Sequence, residues 1–142
     1  MVIKIIEHNS EAYRQMIDLR IKVLLNPIGV PSSFINQPME KEDVLIGAFE
    51  NTILIGCCVL SKKSNDTIQL RQMAVETSYQ RKGVGAAIVL FAEKWAKENG
   101  FETMLLHARD RVINFYEKYG YQITGDGFTE VNIPHHKMKK VL

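Results

Sequence analysis

The sequence predicts an α/β (α+β) fold, and three observations carry that prediction. Strand-like runs at Val44–Glu50, Ile53–Lys62 and Thr67–Val75 follow one another with only turn residues between them, which makes a β-meander. From Gly83 the apolar period changes to that of one long amphipathic helix. A short apolar strand, a short helix and a further strand come next, so a βαβα stretch succeeds the meander. The chain has 142 residues, 46% of them hydrophobic and 24% charged. That length suits one domain with one core, and the composition is too apolar for disorder.

Taken in order, Val2 to Ile6 reads as a strand by its β-branched content. Asn9 and Ser10 then offer a helix cap before a run to about Leu24, in which Met16, Leu19, Arg20, Val23 and Leu24 fall near helical spacing, widened by Ile17 and Ile21. Leu25 to Glu40 carries Pro27, Pro31, Pro38, Gly29 and a Ser pair, with Phe34 and Met39 keeping it apolar. Such a composition breaks regular structure, and a loop this long is often functional. Asn51-Thr52 and Ser64-Asn65-Asp66 supply the two meander turns. Val84, Ile88, Phe91 and Trp95 mark one helix face, closed by Asn99-Gly100. Met104 to Leu106 reads as a short buried strand, Arg111 to Lys118 as a short helix, and Tyr119-Gly120-Tyr121 as its exit into another strand. Val131 to Lys140 forms a last strand, with Pro134 and the basic residues His135-His136-Lys137 and Lys139-Lys140.

Eighteen Lys and Arg against sixteen Asp and Glu give a net charge of +2, so no global field argues for nucleic acid or membrane partners. The only cysteines, Cys57 and Cys58, are adjacent in an apolar strand, where reduced and packed thiols on opposite faces are expected. No leader-like or membrane-length apolar stretch is present, and a cytoplasmic protein is the expectation. Asn65-Asp66-Thr67 fits a glycosylation acceptor, a motif with meaning only on the secretory route. No Cys-x-x-Cys or His-Glu-x-x-His grouping suggests a metal.

The chemistry concentrates in Gln80-Arg81-Lys82-Gly83-Val84-Gly85, between a strand end and the long helix. The first amides of a helix lack intrahelical acceptors and form an anion site. Gly83 and Gly85 let a pyrophosphate approach them, and Arg81 and Lys82 add positive charge. A P-loop would need its Lys after the glycines, and a dinucleotide fingerprint would need a third glycine at Ile88. The bland alternative is a glycine-containing helix start with a solvated Arg-Lys pair.

That loop resembles the acyl-CoA loop of the GNAT superfamily of N-acetyltransferases, Gln/Arg-x-x-Gly-x-Gly/Ala between a strand and a long helix. Phe115-Tyr116-Glu117-Lys118-Tyr119-Gly120-Tyr121 resembles the family's aromatic-Tyr-Glu-Lys run followed by Gly and an aromatic. The element order is similar from Val2 to the tail, and Phe128-Thr129-Glu130 with Ile133-Pro134-His135 is similar to the ElaA-like branch. Arg109 stands where many relatives have Asn, and Val112 where they have Ala. The resemblance implies a central mixed, mostly antiparallel twisted sheet flanked by helices, as a single N-acetyltransferase domain over residues 1–142.

The resemblance also implies direct transfer from acetyl-CoA, as cosubstrate, to a primary amine of a small molecule or peptide, with no acetyl-enzyme and no metal. The cofactor contacts it implies are Met73, Ala74 and Val75 on the strand, Gln80 to Ala86 through the loop, and Tyr116. A backbone N–H near Met73 to Val75, freed by a bulge or splay, would be the oxyanion donor. Tyr116 would donate to the departing thiolate. For the base, the candidates are Glu130 first and His135 next, then His107 and Glu76. Arg71 either reaches a substrate carboxylate or pairs locally. A noncatalytic acyl-CoA binder is the rival function, and a basic-tail module for nucleic acid or protein a second. A homodimer stays open.

Overall fold

The computed structural model describes residues 1–142. In chain order the elements are β1 Val2–Ile6, α1 Glu11–Arg20, β2 Val44–Glu50, β3 Ile53–Lys62, β4 Thr67–Val75, α2 Val84–Glu98, β5 Thr103–Arg109, α3 Ile113–Lys118, β6 Gln122–Ile123, β7 Phe128–Glu130 and β8 Ile133–Val141. The strands form one sheet in the order β1-β2-β3-β4-β5-β8-β6, with β7 also on β8. Only β4 and β5 run parallel; every other pair is antiparallel. This is the mixed, mostly antiparallel sheet that the family resemblance implies.

Helix α1 begins where expected, because Ser10 Oγ accepts the Tyr13 N–H at 3.1 Å, satisfying one orphan donor of the first turn. Its end differs. The α-helix stops at Arg20 and continues as a wider π-helical turn, Ile21–Leu25, in which the Asn26 N–H reaches back to the Ile21 carbonyl. Pro27 follows and has no N–H with which to continue the helix. Residues 26–42 are irregular as expected, broken by short 3-10 turns at Asn26–Ile28, Ser32–Phe34 and Met39–Glu42.

The two helical layers cover opposite faces of the sheet. Tyr13, Met16 and Leu19 of α1 pack with Leu45, Leu54, Cys57 and Val59. On the other side, Val84, Ile88, Val89, Ala92 and Ala96 of α2 pack with Ile46, Ile55, Cys58, Leu60, Ile68, Leu70 and Leu106. Strand alternation thus sends Cys57 to one layer and Cys58 to the other. Both thiols are free and buried, and burial pushes Cys57 up to about 12 and Cys58 well above its ordinary value. Fully burying side chains such as Ile88 and Val89 stabilises by about 1.5–3 kcal/mol each.

The α2 stripe read from the sequence is shifted. Ala92 and Ala96, not Phe91 and Trp95, sit against the sheet; the two aromatics are half-buried on the flank, where Trp95 stacks on Phe101 at 6.2 Å. Small residues let the helix come close: a Cβ on Gly56 of β3 would lie 2.8 Å from Ile88 Cδ1. Strand β5 is longer than the apolar run Met104 to Leu106, because β8 pairs with all of Thr103–Arg109. The last strand starts at Ile133 rather than Val131: Val131 and Asn132, both at positive φ (46° and 62°), make a two-residue turn that joins it to β7, a short strand before the expected one.

Candidate active site

Strands β4 and β5 pair only over Thr67–Leu70 and Thr103–Leu106. Beyond that they part, leaving Arg71–Val75 and His107–Arg109 without each other. Within the departing stretch β4 also changes register against β3: Val59 faces Arg71 and Cys57 faces Ala74, so two β4 residues oppose Cys58 alone. Gln72 takes the positive φ of 54° that this bulge needs. The extra residue reverses the pleat. Leu70 faces α2, whereas Ala74, of the same parity, faces α1; Met73 and Val75 now face α2. The peptide groups of Met73, Ala74 and Val75 therefore lie at an opening between two strands.

Past that opening, Gln80 Nε2 donates to the Val75 carbonyl at 3.0 Å and folds the loop back on the strand end. Arg81 and Gly83 both take left-handed backbone (φ 63° and 85°), and α2 starts at Val84 with no side-chain cap on its first amides. Arg81 and Lys82 are exposed, and a Cβ on Gly83 would meet nothing within 4 Å. Open amides, open space and two cations fit the phosphates of an acyl-CoA. Gly85 and Ala86 are half-buried in the first turn; a Cβ on Gly85 would lie 3.6 Å from Phe115 Cζ and 3.9 Å from Val75 Cγ2.

Tyr116 belongs to the α2 side. It is 7% exposed, edge-on to Phe115 at 5.0 Å and to Tyr121 at 5.7 Å. Burial, with a smaller contribution from nearby Cys58, raises its phenol well above the ordinary range, so the hydroxyl holds its proton at neutral pH. Phe115 and Tyr119 pack beside it.

The base candidates converge on the α1 side of the sheet. In β5, Leu106 and Ala108 belong to the α2 layer, so His107 and Arg109 face the other way, as do their register partners Lys137 and His135 on β8. The tight β7–β8 turn brings Glu130 back beside them. His107 Nδ1 lies 3.5 Å from Glu130 Oε1, and His135 Nε2 lies 3.6 Å from Oε2. His135 is 4% exposed and donates from Nδ1 to the Ile133 carbonyl at 2.7 Å, leaving Nε2 as its basic nitrogen when the ring is neutral. Phe128 stacks on His135 at 5.7 Å and meets His107 edge-on at 5.1 Å. Glu76 stands apart, bonded to Lys22 at 2.7 Å. Arg71 is engaged locally, with Ser61 Oγ at 3.3 Å and Asp43 Oδ2 at 3.8 Å.

A buried polar network, unseen in the sequence, adjoins the bulge. Arg20, 1% exposed, donates from both terminal nitrogens to the two oxygens of Glu40, 4% exposed, and Tyr13 donates to Glu40 Oε1 at 2.7 Å. The remaining guanidinium donor, Nε, reaches Gln72 Oε1 at 3.2 Å. Loop, helix and bulge are thereby tied together. The sequence signal was Arg20 within the apolar stripe of α1, a position where a charge must find a partner.

Residues 11–121 match the family model described as Acetyltransferase (GNAT) family. Among sequence relatives, the protein YyaT of Bacillus subtilis is 36% identical over 74 residues, which is 52% of this chain and 50% of that protein. The chain spans about half the length of the curated relatives it matches. A solved structure from Lactobacillus plantarum superimposes with a TM-score of 0.87 at 23% identity, covering 100% of this chain and 99% of the other. An aminoglycoside 6'-N-acetyltransferase complexed with coenzyme A superimposes at 0.83 with 20% identity, covering 99% and 97%. At these identities the likeness is one of fold.

Proposed function

The chain belongs to the GNAT acetyltransferase family, and we propose that it moves an acetyl group from acetyl-CoA directly to a primary amine of a small molecule or peptide. The observation that carries the proposal is the parting of β4 from β5 after Leu70 and Leu106, with the Gln72 bulge beside it. In a closed sheet β5 would continue alongside Met73 to Val75; here those residues keep only β3 as a neighbour and border the opening that the departure of β5 leaves.

In this reading the amides of Gly83 to Ala86, with Arg81 and Lys82, hold the phosphates, and Gln80 fixes the loop. Met73, Ala74 and Val75 line the pantetheine arm and offer a backbone N–H to the thioester carbonyl oxygen as it gains charge. Acetyl-CoA, bound there, supplies an activated acyl group. Tyr116 donates a hydrogen bond to the sulfur from the α2 side. Its raised pKa keeps the proton on the phenol while making full transfer to a thiolate unfavourable, so its role is to stabilise rather than to protonate outright. Glu130 draws the proton from the amine on the α1 side, with His135 Nε2 next to it. Residues 1–142 act as a single cytoplasmic catalytic domain.

Thiol release from acetyl-CoA against a panel of primary amines tests the reaction. CoA at about a hundredfold its Kd should also raise stability by about 2.7 kcal/mol. A melting temperature indifferent to CoA refutes the cofactor assignment, and CoA stabilisation without thiol release from any amine leaves a binder instead of an enzyme.

A further inference from the structure

Arg109 is the last residue of β5, on the α1 side and beyond the point where β4 has parted from β5. Its guanidinium is half-buried, yet it takes part in none of the ion pairs of the structure. Its one hydrogen bond to protein is long, from Nη2 to the Leu24 carbonyl at 3.5 Å. Desolvation, followed by the charge of Arg111, lowers its pKa, with Glu130 acting in the opposite sense. The other arginines near the opening are committed: Arg20 gives all its donor nitrogens to Glu40 and Gln72, and Arg71 is held by Ser61 and Asp43. Lys137, on the neighbouring strand and the same face, has no ion pair either. A partly desolvated guanidinium that offers five donors and uses one poorly is an anion site in search of its anion.

Glu130 lies close enough for its charge to be felt at Arg109 but does not pair with it. The acceptor side therefore presents two separate charges of opposite sign: a carboxylate flanked by two imidazoles, suited to an amine, and a planar cationic fork. We propose that the acceptor is a primary amine that also bears a carboxylate, an amino acid or short peptide with a free C-terminal end, and that Arg109 binds that carboxylate. The fork matches the two coplanar oxygens of a carboxylate in a bidentate pair. A polycationic acceptor such as an aminoglycoside would instead bring like charge against Arg109 and Lys137. The inference rests on the transfer reading for the location of the amine and names the substrate class for that site.

Two readouts on the full chain test it. The first compares kcat/KM for paired acceptors, each an amino acid or dipeptide against its own carboxamide. The free acids should be favoured about ten- to a hundredfold, the range of a charge-assisted bond. Arg109→Gln should remove the preference while leaving the CoA-induced melting shift unchanged, and Arg109→Lys should restore part of it. The second readout needs no turnover: calorimetric binding of an N-acetyl dipeptide and of its amide to protein saturated with CoA. The acid should bind more tightly, and Arg109→Gln should make the two equal. Equal handling of acids and amides by the wild type overturns the proposal. So does an Arg109→Gln variant that loses CoA affinity, since the guanidinium would then face the cofactor. If no amine is acetylated but the acid still binds better through Arg109, the transfer reading fails and the anion site stands.

Discussion

Replacing Glu40 by Gln should be among the most damaging single changes outside the hydrophobic layers. The substitution keeps the shape of the side chain and leaves Arg20, 1% exposed, charged and without its anion. Breaking a buried pair in this way costs about 3–5 kcal/mol, a large share of the roughly 5–15 kcal/mol that holds a domain together. For a chain of this size about 1 kcal/mol moves the midpoint by roughly 2–4 °C, so the melting temperature should fall by about 10 °C. Removing both charges, as in Arg20→Met with Glu40→Leu, should restore part of the stability, because the desolvation cost goes with the attraction while Tyr13 and Gln72 lose their partners. Stability should also change with pH. Burial opposes ionisation of Glu40, but hydrogen bonds from Arg20 and Tyr13 and the Arg20 charge outweigh it and lower its pKa below the ordinary 4.5. The contribution is whole above the ordinary carboxylate range and is lost as pH falls through the depressed native value. Urea unfolding at neutral pH and below pH 4.5 measures both effects: the wild type should weaken on acidification more steeply than Glu40→Gln. A single variant within about 1 kcal/mol of wild type, with the same acid limb, would refute the reasoning.

Three further outcomes follow from the site. Gly85→Val should push Phe115 from its 3.6 Å approach and weaken CoA binding by at least about tenfold, whereas Gly85→Ala fits at ordinary contact; an undiminished CoA melting shift in the Val variant would separate this turn from the cofactor. Tyr116→Phe should keep CoA affinity and lower turnover toward the smaller end of the about 10² to 10⁴ typical of acid catalysis, while wild-type turnover would return Tyr116 to packing. Glu130→Gln should slow the reaction at pH 7 and recover at high pH, where solvent deprotonates an amine of pKa about 10.4 unaided; a superimposable pH-rate profile would reject Glu130 and make His135 the next residue to replace.

Much of the sheet was legible because its turns are chemically marked. Ser10 caps α1, Asn51 takes the positive φ (55°) of a hairpin, and Gly120 (φ 95°) ends α3. The misreadings have a common cause, that apolar periodicity shows which residues are greasy and not which are close to the sheet. Phe91 and Trp95 outweigh Ala92 and Ala96 in any hydrophobic stripe, yet only the alanines fit under α2. His107 and Arg109 are polar and so fell outside the apolar run, although β8 pairs with both. The bulge in β4 did leave a trace: the α2-facing apolar residues are Ile68 and Leu70, then Met73 and Val75, and the spacing slips from two to three across Arg71-Gln72. No local signal could join Arg20 to Glu40, or Glu130 to His107, because the partners meet only through the tertiary fold.

The choice of Gln at the bulge links these features into one argument. A non-glycine residue in left-handed backbone carries a cost of about 1–2 kcal/mol, and glycine would hold the same φ without it. Gln72 differs from glycine in what its side chain reaches: Oε1 accepts from Nε, the one Arg20 nitrogen that does not donate to Glu40. The bulge is thus held on its α1 side by a guanidinium whose other edge grips the Pro-rich loop through Glu40, and that loop also bonds to His8 through the Glu40 carbonyl at 2.8 Å. A shift of the loop must either carry Arg20 with it or leave a buried charge unpaired, and the second course costs several kcal/mol. The peptide groups of Met73 to Val75 are therefore tied, through Gln72 and Arg20, to the Pro-containing segment at Glu40, a contact that glycine at the bulge could not make.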